Sequence, residues 1–350
     1  METVRFATIG TSAICEQFIN ALKEVPGTAL AGCYSRSHDK ARAFCASHAA
    51  ALSFDDLSDL AASDAVDAVY ISSPNSLHAP QAIELLRAGK HVLVEKSFAS
   101  NAREAEEVFS AADASGAVAM EAMRNLHVNT FGRIEHEVER LGQVRLANFS
   151  FSKVTSRVSK LRAGERINIF DPAMSAGSLM DMGVYCVAPA IALFGEPQRV
   201  CAVGVTSQVP GSSKEDPCGV IDLTGAIALG YPDKAVSLTF GKISDDRIPC
   251  QVQGEKATLV WDQVSCPENL RVFEHEDKGM QFRMEAGEGR RIDAAPPEHD
   301  MACEIRSFVE GVRGERDLSR YRDVTLGTLR VMDEARRQMG VVFPADLACQ

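Results

Sequence analysis

A chain of 350 residues exceeds what one compact core usually holds, so two domains are expected. Hydrophobic residues at 45% and charged residues at 24% are an ordinary globular balance. The formal net charge of −11 argues against a broad phosphate-binding surface, and so against a nucleic-acid partner, while leaving room for a small anion held by backbone N–H groups.

The N-terminus runs from Met1 into a strand pattern, Val4–Ile9, with no secretory signal ahead of it. Helical spacing follows at Ile14–Lys23, a strand at Ala29–Tyr34 and a helix at His38–His48. Short buried runs at Ala68–Ile71 and His91–Val94 flank a helix over Leu77–Ala88. A helix at Ala102–Ala114 and a strand at Val118–Glu121 complete the rhythm. Strand, helix, strand in this order predicts a parallel sheet covered on both faces, assigned to residues 1–122.

From residue 123 to 350 the rhythm changes. A helix over Asn129–Leu141 leads into an alternating strand, Val144–Val154, and a helix spans Ser178–Leu193. Six strand patterns follow, at Val200–Thr206, Ile221–Ala228, Ala235–Gly241, Cys250–Gly254, Ala257–Trp261 and Leu270–Phe273. Hairpin turns at Tyr231–Lys234 and Gly254–Lys256 make this half an antiparallel sheet with helices on one face. Val209–Gly219 reads as a mobile loop. Helices over Pro297–Val312 and Arg322–Met339 close the chain, and no run reaches transmembrane length. The ten cysteines form no Cys-x-x-Cys pair and read as reduced thiols of a cytoplasmic protein without a membrane partner.

Gly10, Thr11, Ser12, Ala13, Ile14 and Cys15 lie between the first strand and the first helix, where a dinucleotide fold seats a pyrophosphate. Ser12 and Cys15 stand where the full Gly-x-Gly-x-x-Gly pattern has glycine, and a plain strand-to-helix turn has the same sequence. The second strand ends in Ser35, Arg36 and Ser37 rather than in the acid that bonds ribose hydroxyls in NAD sites. A cation and two hydroxyls suit a 2′-phosphate, which favours NADP(H) over NAD(H); Arg36 also has the shape to lie on adenine, and a solvated loop is the plain alternative.

Two further segments end predicted parallel strands: Tyr70-Ile71-Ser72-Ser73-Pro74-Asn75-Ser76-Leu77-His78 and Gly89-Lys90-His91-Val92-Leu93-Val94-Glu95-Lys96-Ser97. With the Gly10 loop they closely resemble the Gfo/Idh/MocA family of NAD(P)-dependent oxidoreductases. That family carries a Pro-Asn-x-x-His segment and a Glu-Lys-Pro motif with a catalytic lysine. Ser97 replaces the proline, a change expected to alter the local backbone. Gly177-Ser178-Leu179-Met180-Asp181-Met182-Gly183-Val184-Tyr185 resembles the family's Gly-x-Leu-x-Asp-x-Gly-x-His helix, with Tyr185 in place of histidine. Tyr185-Cys186, Ser265-Cys266-Pro267 and Val342-Phe343-Pro344 are similar to the dimeric dihydrodiol dehydrogenase/D-xylose dehydrogenase branch. The resemblance implies an α/β protein: a Rossmann domain plus an α/β domain whose large open, mainly antiparallel sheet often forms a dimer interface. It also implies a homodimer or higher homo-oligomer and a carbohydrate-like small-molecule substrate.

Asp181 and Tyr185, four apart on a predicted helix, share one face. Tyrosine is a poor base at neutral pH, and a nearby Lys96 ammonium, with an oxidised nicotinamide, is expected to lower its pKa. In the resulting scheme Tyr185 removes a hydroxyl proton, Lys96 holds the developing charge on the same oxygen, and Asp181 orients substrate hydroxyls or Lys96. The dull alternatives are a loop charge for Lys96, a core residue for Tyr185 and a surface acid for Asp181.

Beside the cofactor the expected residues are Ser72, Ser73, Pro74, Asn75, His78, Glu95, Lys96 and Arg124. Arg124, Asn168 and Phe170, with Asp181 and Tyr185, are expected to touch substrate. The alternatives are a salt bridge for Arg124, a structured loop for Asn168 and Phe170, and a structural histidine at 78. No histidine spacing suggests a metal. The function expected is hydride exchange between NADP(H) and a CH–OH or C=O group of a sugar, polyol or vicinal diol. A redox-neutral NAD-using enzyme of glycoside cleavage or epimerisation, and a non-catalytic NADP(H)-binding regulator, remain the competing readings.

Overall fold

The computed structural model describes residues 3–275, 287–294 and 299–348. Six strands, β1 (Val4–Ile9), β2 (Thr28–Tyr34), β3 (Leu52–Phe54), β4 (Ala68–Ile71), β5 (His91–Glu95) and β6 (Ala119–Ala122), form one sheet in the order β3-β2-β1-β4-β5-β6. Every neighbouring pair is parallel. This doubly wound order reverses between β1 and β4, and ligands bind beyond the carboxyl ends of strands at such a reversal.

Side chains on the two faces of β1 enter two different cores. Val4 and Phe6 pack with Phe18 and Ile19 of the helix Ala13–Leu22. Ala7 and Ile9 pack with Leu85 of the helix His78–Arg87 and with Val108 and Phe109 of the helix Ala102–Ser115. Burial on both faces is why these strands are almost wholly apolar. Asn101 begins the last of these helices by accepting from the Glu104 N–H at 3.0 Å, and Gly116 ends it in a left-handed conformation.

The second sheet holds β7 (Val144–Ser152), β8 (Arg199–Gln208), β9 (Val220–Gly230), β10 (Ala235–Gly241), β11 (Cys250–Gly254), β12 (Ala257–Asp262), β13 (Glu268–Glu274) and β14 (Arg290–Arg291). Its order is β14-β13-β12-β11-β7-β10-β9-β8, antiparallel throughout except for the parallel pair β7 and β10. The helix Ser319–Met339 covers one face of the edge strand β8, where Met339 leaves no room for a side chain at Gly204. Val203 and Val205, at 71% and 56% exposed, project from β8 into solvent. The loop between β8 and β9 is closed by the Val209 N–H on the Gly219 carbonyl and by Gln208 on Ser212 and Ser213.

Three expectations need correction. The strand β3, the helix Leu57–Ala62 and the short helix Val158–Arg162 carry too few residues for a periodic signal, and the sequence reading passes over them. The helical run Pro172–Phe194 is apolar and long enough to cross a membrane by composition, contrary to the expectation that none is. It is apolar because 72% of its most apolar window is buried inside the protein. The last predicted helix but one begins at Asp300 among the described residues, and residues 297–298 lie outside them. This helix packs Met301, Ile305 and Phe308 into the core of the parallel sheet, with the Phe6 and Phe308 rings 5.9 Å apart. Nine cysteines are free thiols among the described residues, and Cys349 lies outside them.

Candidate active site

The loop after β1 and the loop after β4 meet at the reversal point. Gly10 has φ +113°, and a Cβ there would stand 2.8 Å from Ser72 Oγ, so the turn needs glycine. Ser72 Oγ donates to the Ile9 carbonyl at 2.9 Å and shares a 2.8 Å hydrogen bond with Cys15 Sγ. Cys15 is therefore the buried floor of the loop. Ser12 precedes the helix Ala13–Leu22 in extended conformation and makes no side-chain cap, while Ser12 and Ala13 are exposed. The first N–H groups of the helix are left to a ligand, which is how such an end holds phosphate.

At the end of β2, Ser35 accepts from the Ser37 N–H at 3.4 Å, and Arg36 is exposed with no ion pair among the described residues. Ser73 Oγ donates to Gln81 Oε1 at 2.7 Å, and Asn75 Nδ2 donates to the Ser175 carbonyl at 2.8 Å. Asn75 thereby ties the parallel-sheet half of the site to the helical run that carries Asp181.

Lys96 follows β5 directly. Its Nζ donates to Asp181 Oδ1 at 2.5 Å and stands 5.2 Å from the centroid of the Tyr185 ring. The side chains meet because Ser97 Oγ donates to the Met180 carbonyl at 2.8 Å, a bond that proline at 97 cannot make. The Lys96–Ser97 peptide bond is cis. Leu179–Gly183 is a π-helical turn, and Val184–Phe194 continues as α-helix. The predicted single helix thus carries one wide turn at Asp181, and such turns occur most often at functional sites. Asp222, buried on β9, accepts from the Leu179 N–H at 2.6 Å and anchors that turn.

Electrostatics follow from these contacts. Burial disfavours the Lys96 ammonium, but Asp181, Tyr185 and Glu95 outweigh it and hold its pKa above the usual lysine value. Burial works against the Asp181 carboxylate too, and Lys96 with a second lysine, Lys242, overcomes it and depresses the pKa well below the ordinary range. Tyr185 departs from expectation. Lys96 and Arg124 pull its pKa down, but burial of a ring only 6% exposed wins, and the pKa rises. Its ring packs edge-on against Phe151 at 5.5 Å, and its hydroxyl has no hydrogen-bond partner among the described residues.

A cavity of about 190 Å³ opens beside Lys96, lined by Asn75, Lys96, Asn168, Met180, Asp181 and Lys242 among others. Asn168 is placed as expected. Phe170 is not: it is 2% exposed and lies behind the Lys242 ammonium, 5.4 Å from it, as a core residue. His78 is also corrected. It is wholly buried, with Nδ1 2.9 Å from the Ser97 carbonyl and Nε2 2.8 Å from that of Ser73, and burial pushes its pKa down to about 4. It braces the loops around Lys96 and is not open to a cofactor. Glu95, buried, accepts from the Tyr70 hydroxyl at 2.5 Å and from the Lys96 N–H at 3.2 Å, so it too is a brace. Arg124 pairs with Asp300 at 3.3 Å, and neither it nor Tyr185 is among the residues lining the cavity; Arg124 lies close enough to Tyr185 to act on it electrostatically. Lys242 went unnoticed in the sequence because a lone lysine after a strand carries no pattern.

Residues 4–123 match the family of oxidoreductases with an NAD-binding Rossmann fold, and residues 137–260 match the C-terminal domain of that family, GFO/IDH/MocA. The chain belongs to the GFO/IDH/MocA oxidoreductase family. Within it, the chain is 39% identical to the scyllo-inositol 2-dehydrogenase (NADP(+)) IolU of Bacillus subtilis (strain 168), over 99% of this chain and 100% of that one. It is 25% identical to the trans-1,2-dihydrobenzene-1,2-diol dehydrogenase of Sus scrofa, over 98% of this chain and 99% of that one. Among solved structures, the 3-ketoreductase KijD10 of Actinomadura kijaniata, in complex with NADP and TDP-benzene, shares the fold. The TM-score is 0.78 at 23% identity, covering 97% of this chain and 98% of that one.

Proposed function

We propose that this GFO/IDH/MocA protein is an NADP(H)-dependent oxidoreductase that interconverts CH–OH and C=O on a sugar, polyol or vicinal diol. The observation that carries this reading is the Lys96 ammonium, held by Asp181 at 2.5 Å at the carboxyl edge of the parallel sheet and 5.2 Å from the centroid of the Tyr185 ring, whose hydroxyl has no hydrogen-bond partner among the described residues. The names of the relatives from Bacillus subtilis and Sus scrofa agree with it.

The Gly10 turn, which a Cβ would fill, and the uncapped helix start at Ser12 fit a dinucleotide pyrophosphate. Gly10, Thr11, Ser12, Ala13 and Ile14 would hold it, Ser35, Arg36 and Ser37 would hold the 2′-phosphate, and Ser72, Ser73, Pro74 and Asn75 would border the nicotinamide end. When bound, the nicotinamide supplies the hydride acceptor or donor. Lys96 bonds the reacting oxygen and stabilises negative charge there. Asp181 keeps Lys96 charged and aimed. Tyr185, a phenol that is neutral at ordinary pH and whose pKa burial raises further, gives a proton to that oxygen in reduction and takes it in oxidation. Residues 1–122 supply the nucleotide half, onto whose core the helix Asp300–Val312 packs, and the rest of 123–350 supplies the substrate half. The bare face of β8, with Val203 and Val205, is where we place a homodimer contact, and sedimentation of the protein in solution tests it. The free cysteines suit the reducing cytoplasm.

The deciding experiment titrates NADPH and NADH by fluorescence and then screens inositols, D-xylose and 1,2-diols spectrophotometrically. NADPH preference with turnover of one of these is the expected result. Tight binding with no net redox change on any of them would overturn the reading.

A further inference from the structure

Lys242 has no place in the scheme above, yet the fold fixes its side chain with care. The residue follows β10, where its N–H donates to the Leu223 carbonyl at 3.0 Å and its carbonyl accepts from the Thr155 N–H at 2.9 Å. Its side chain is 3% exposed, an uncommon state for lysine. The ammonium donates to Asp181 Oδ2 at 2.5 Å, while Lys96 takes Oδ1 at 2.5 Å. One carboxylate is thus shared between two lysines, one more cation than its charge requires.

Both lysines line the same cavity. An ammonium has three N–H donors, and Lys242 uses one of them on Asp181, with no other acceptor among the described residues. Asp181 keeps 40% of its side chain exposed and has lone pairs left for a hydroxyl. Two donors a single carboxylate apart, with that carboxylate between them, match two oxygens on adjacent carbons.

Resting on the reading that Lys96 holds the reacting oxygen, we propose that Lys242 holds the oxygen on the neighbouring carbon and so selects substrates with vicinal oxygens. Asp181 spaces the two lysines and accepts from the diol. A lysine that merely helped Asp181 to aim Lys96 would alter turnover and leave discrimination between diol and mono-ol untouched.

The test compares trans-1,2-cyclohexanediol with cyclohexanol on wild-type protein, Lys242→Met and Lys242→Arg. Affinity for the NADPH-loaded protein is read by calorimetry, and KM and kcat are read with NADP+. NADPH binding by each variant reports that it is folded. Wild type is expected to prefer the diol, and Lys242→Met to lose on the order of tenfold or more of that preference, mainly through KM, since a charge-assisted hydrogen bond is removed. Lys242→Arg, which keeps a cation, is expected to fall between the two. Retained diol preference in Lys242→Met, or a loss confined to kcat, overturns the proposal. Equal wild-type affinity for diol and mono-ol overturns it without any variant. If wild type turns over inositols or D-xylose but shows no such preference, only this inference falls; if it turns over nothing, the functional reading falls as well.

Discussion

Lys96 and Asp181 are 85 positions apart in the chain, yet Lys96 Nζ donates to Asp181 Oδ1 at 2.5 Å. The pair joins the parallel sheet to the helical run of the second half. Lys96→Met removes the charge that stabilises the reacting oxygen and is expected to lower kcat by about 10²–10³-fold. Asp181→Asn leaves two buried ammoniums facing a neutral amide and is expected to cost about tenfold or more in kcat/KM. Steady-state kinetics of both variants check this, and near-normal turnover by Lys96→Met sinks the scheme.

Tyr185 sets the pH dependence. Burial raises its pKa, so the neutral phenol persists into the alkaline range, while Lys96 is held charged. The rate of oxidation, which needs the tyrosine to accept a proton, is expected to rise with pH. The rate of reduction, which needs the proton in place, is expected to fall along the same alkaline limb. Tyr185→Phe should lose about 10²–10⁴-fold and abolish that limb in both directions. A limb that survives in Tyr185→Phe belongs to another group.

Arg36 is exposed just after β2 and has no ion pair among the described residues. Arg36→Ala is expected to weaken NADPH binding by about 10–100-fold, the value of charge-assisted hydrogen bonds to a phosphate, and to leave NADH binding nearly unchanged. Fluorescence titration of the two nucleotides reads the ratio. An equal loss for both would assign Arg36 to the adenine instead.

Glu121 on β6 accepts from the Phe98 N–H at 3.0 Å and from Thr325 Oγ1 at 2.9 Å, and burial pushes its pKa up to about 7 from 4.5. Between those values the folded chain keeps a proton that the unfolded chain releases, so stability falls as pH rises through the window. His78 works in the opposite sense. With its pKa pushed down to about 4 from 6.5, stability is complete above the higher value and drains away as pH falls towards the lower. Glu121→Gln is expected to gain about 2–4 °C in melting temperature over wild type between roughly pH 5 and pH 8. A gap that does not change with pH removes Glu121 as the cause.

The parallel sheet was legible because its strands are short apolar runs and its helices carry long apolar faces. Lys96 was legible because it follows a strand at the ligand edge, and Asn75 because it stands in the Pro-Asn-x-x-His segment beyond the neighbouring strand. What escaped was non-local. Phe170, His78 and Glu95 have sequence contexts that suit a ligand site, but the fold turns them inward, onto Lys242, onto two carbonyls and onto Tyr70. The pKa of Tyr185 could not be signed from its neighbours alone, because the depth of its burial is a property of the packed helix. Lys242 meets Asp181 only once β10 lies beside β7 and β9, a pairing that no local pattern announces.

The helix Asp300–Val312 packs Met301, Ile305 and Phe308 into the core shared by the first strand and the first helix of the chain. Phe6 thus has two ring partners from distant parts of the sequence, Phe18 at 5.7 Å and Phe308 at 5.9 Å. The nucleotide-binding half is therefore not built from consecutive residues alone. A chain cut before Asp300 is expected to bare the apolar surface that Met301, Ile305 and Phe308 cover, and so to weaken the cofactor half.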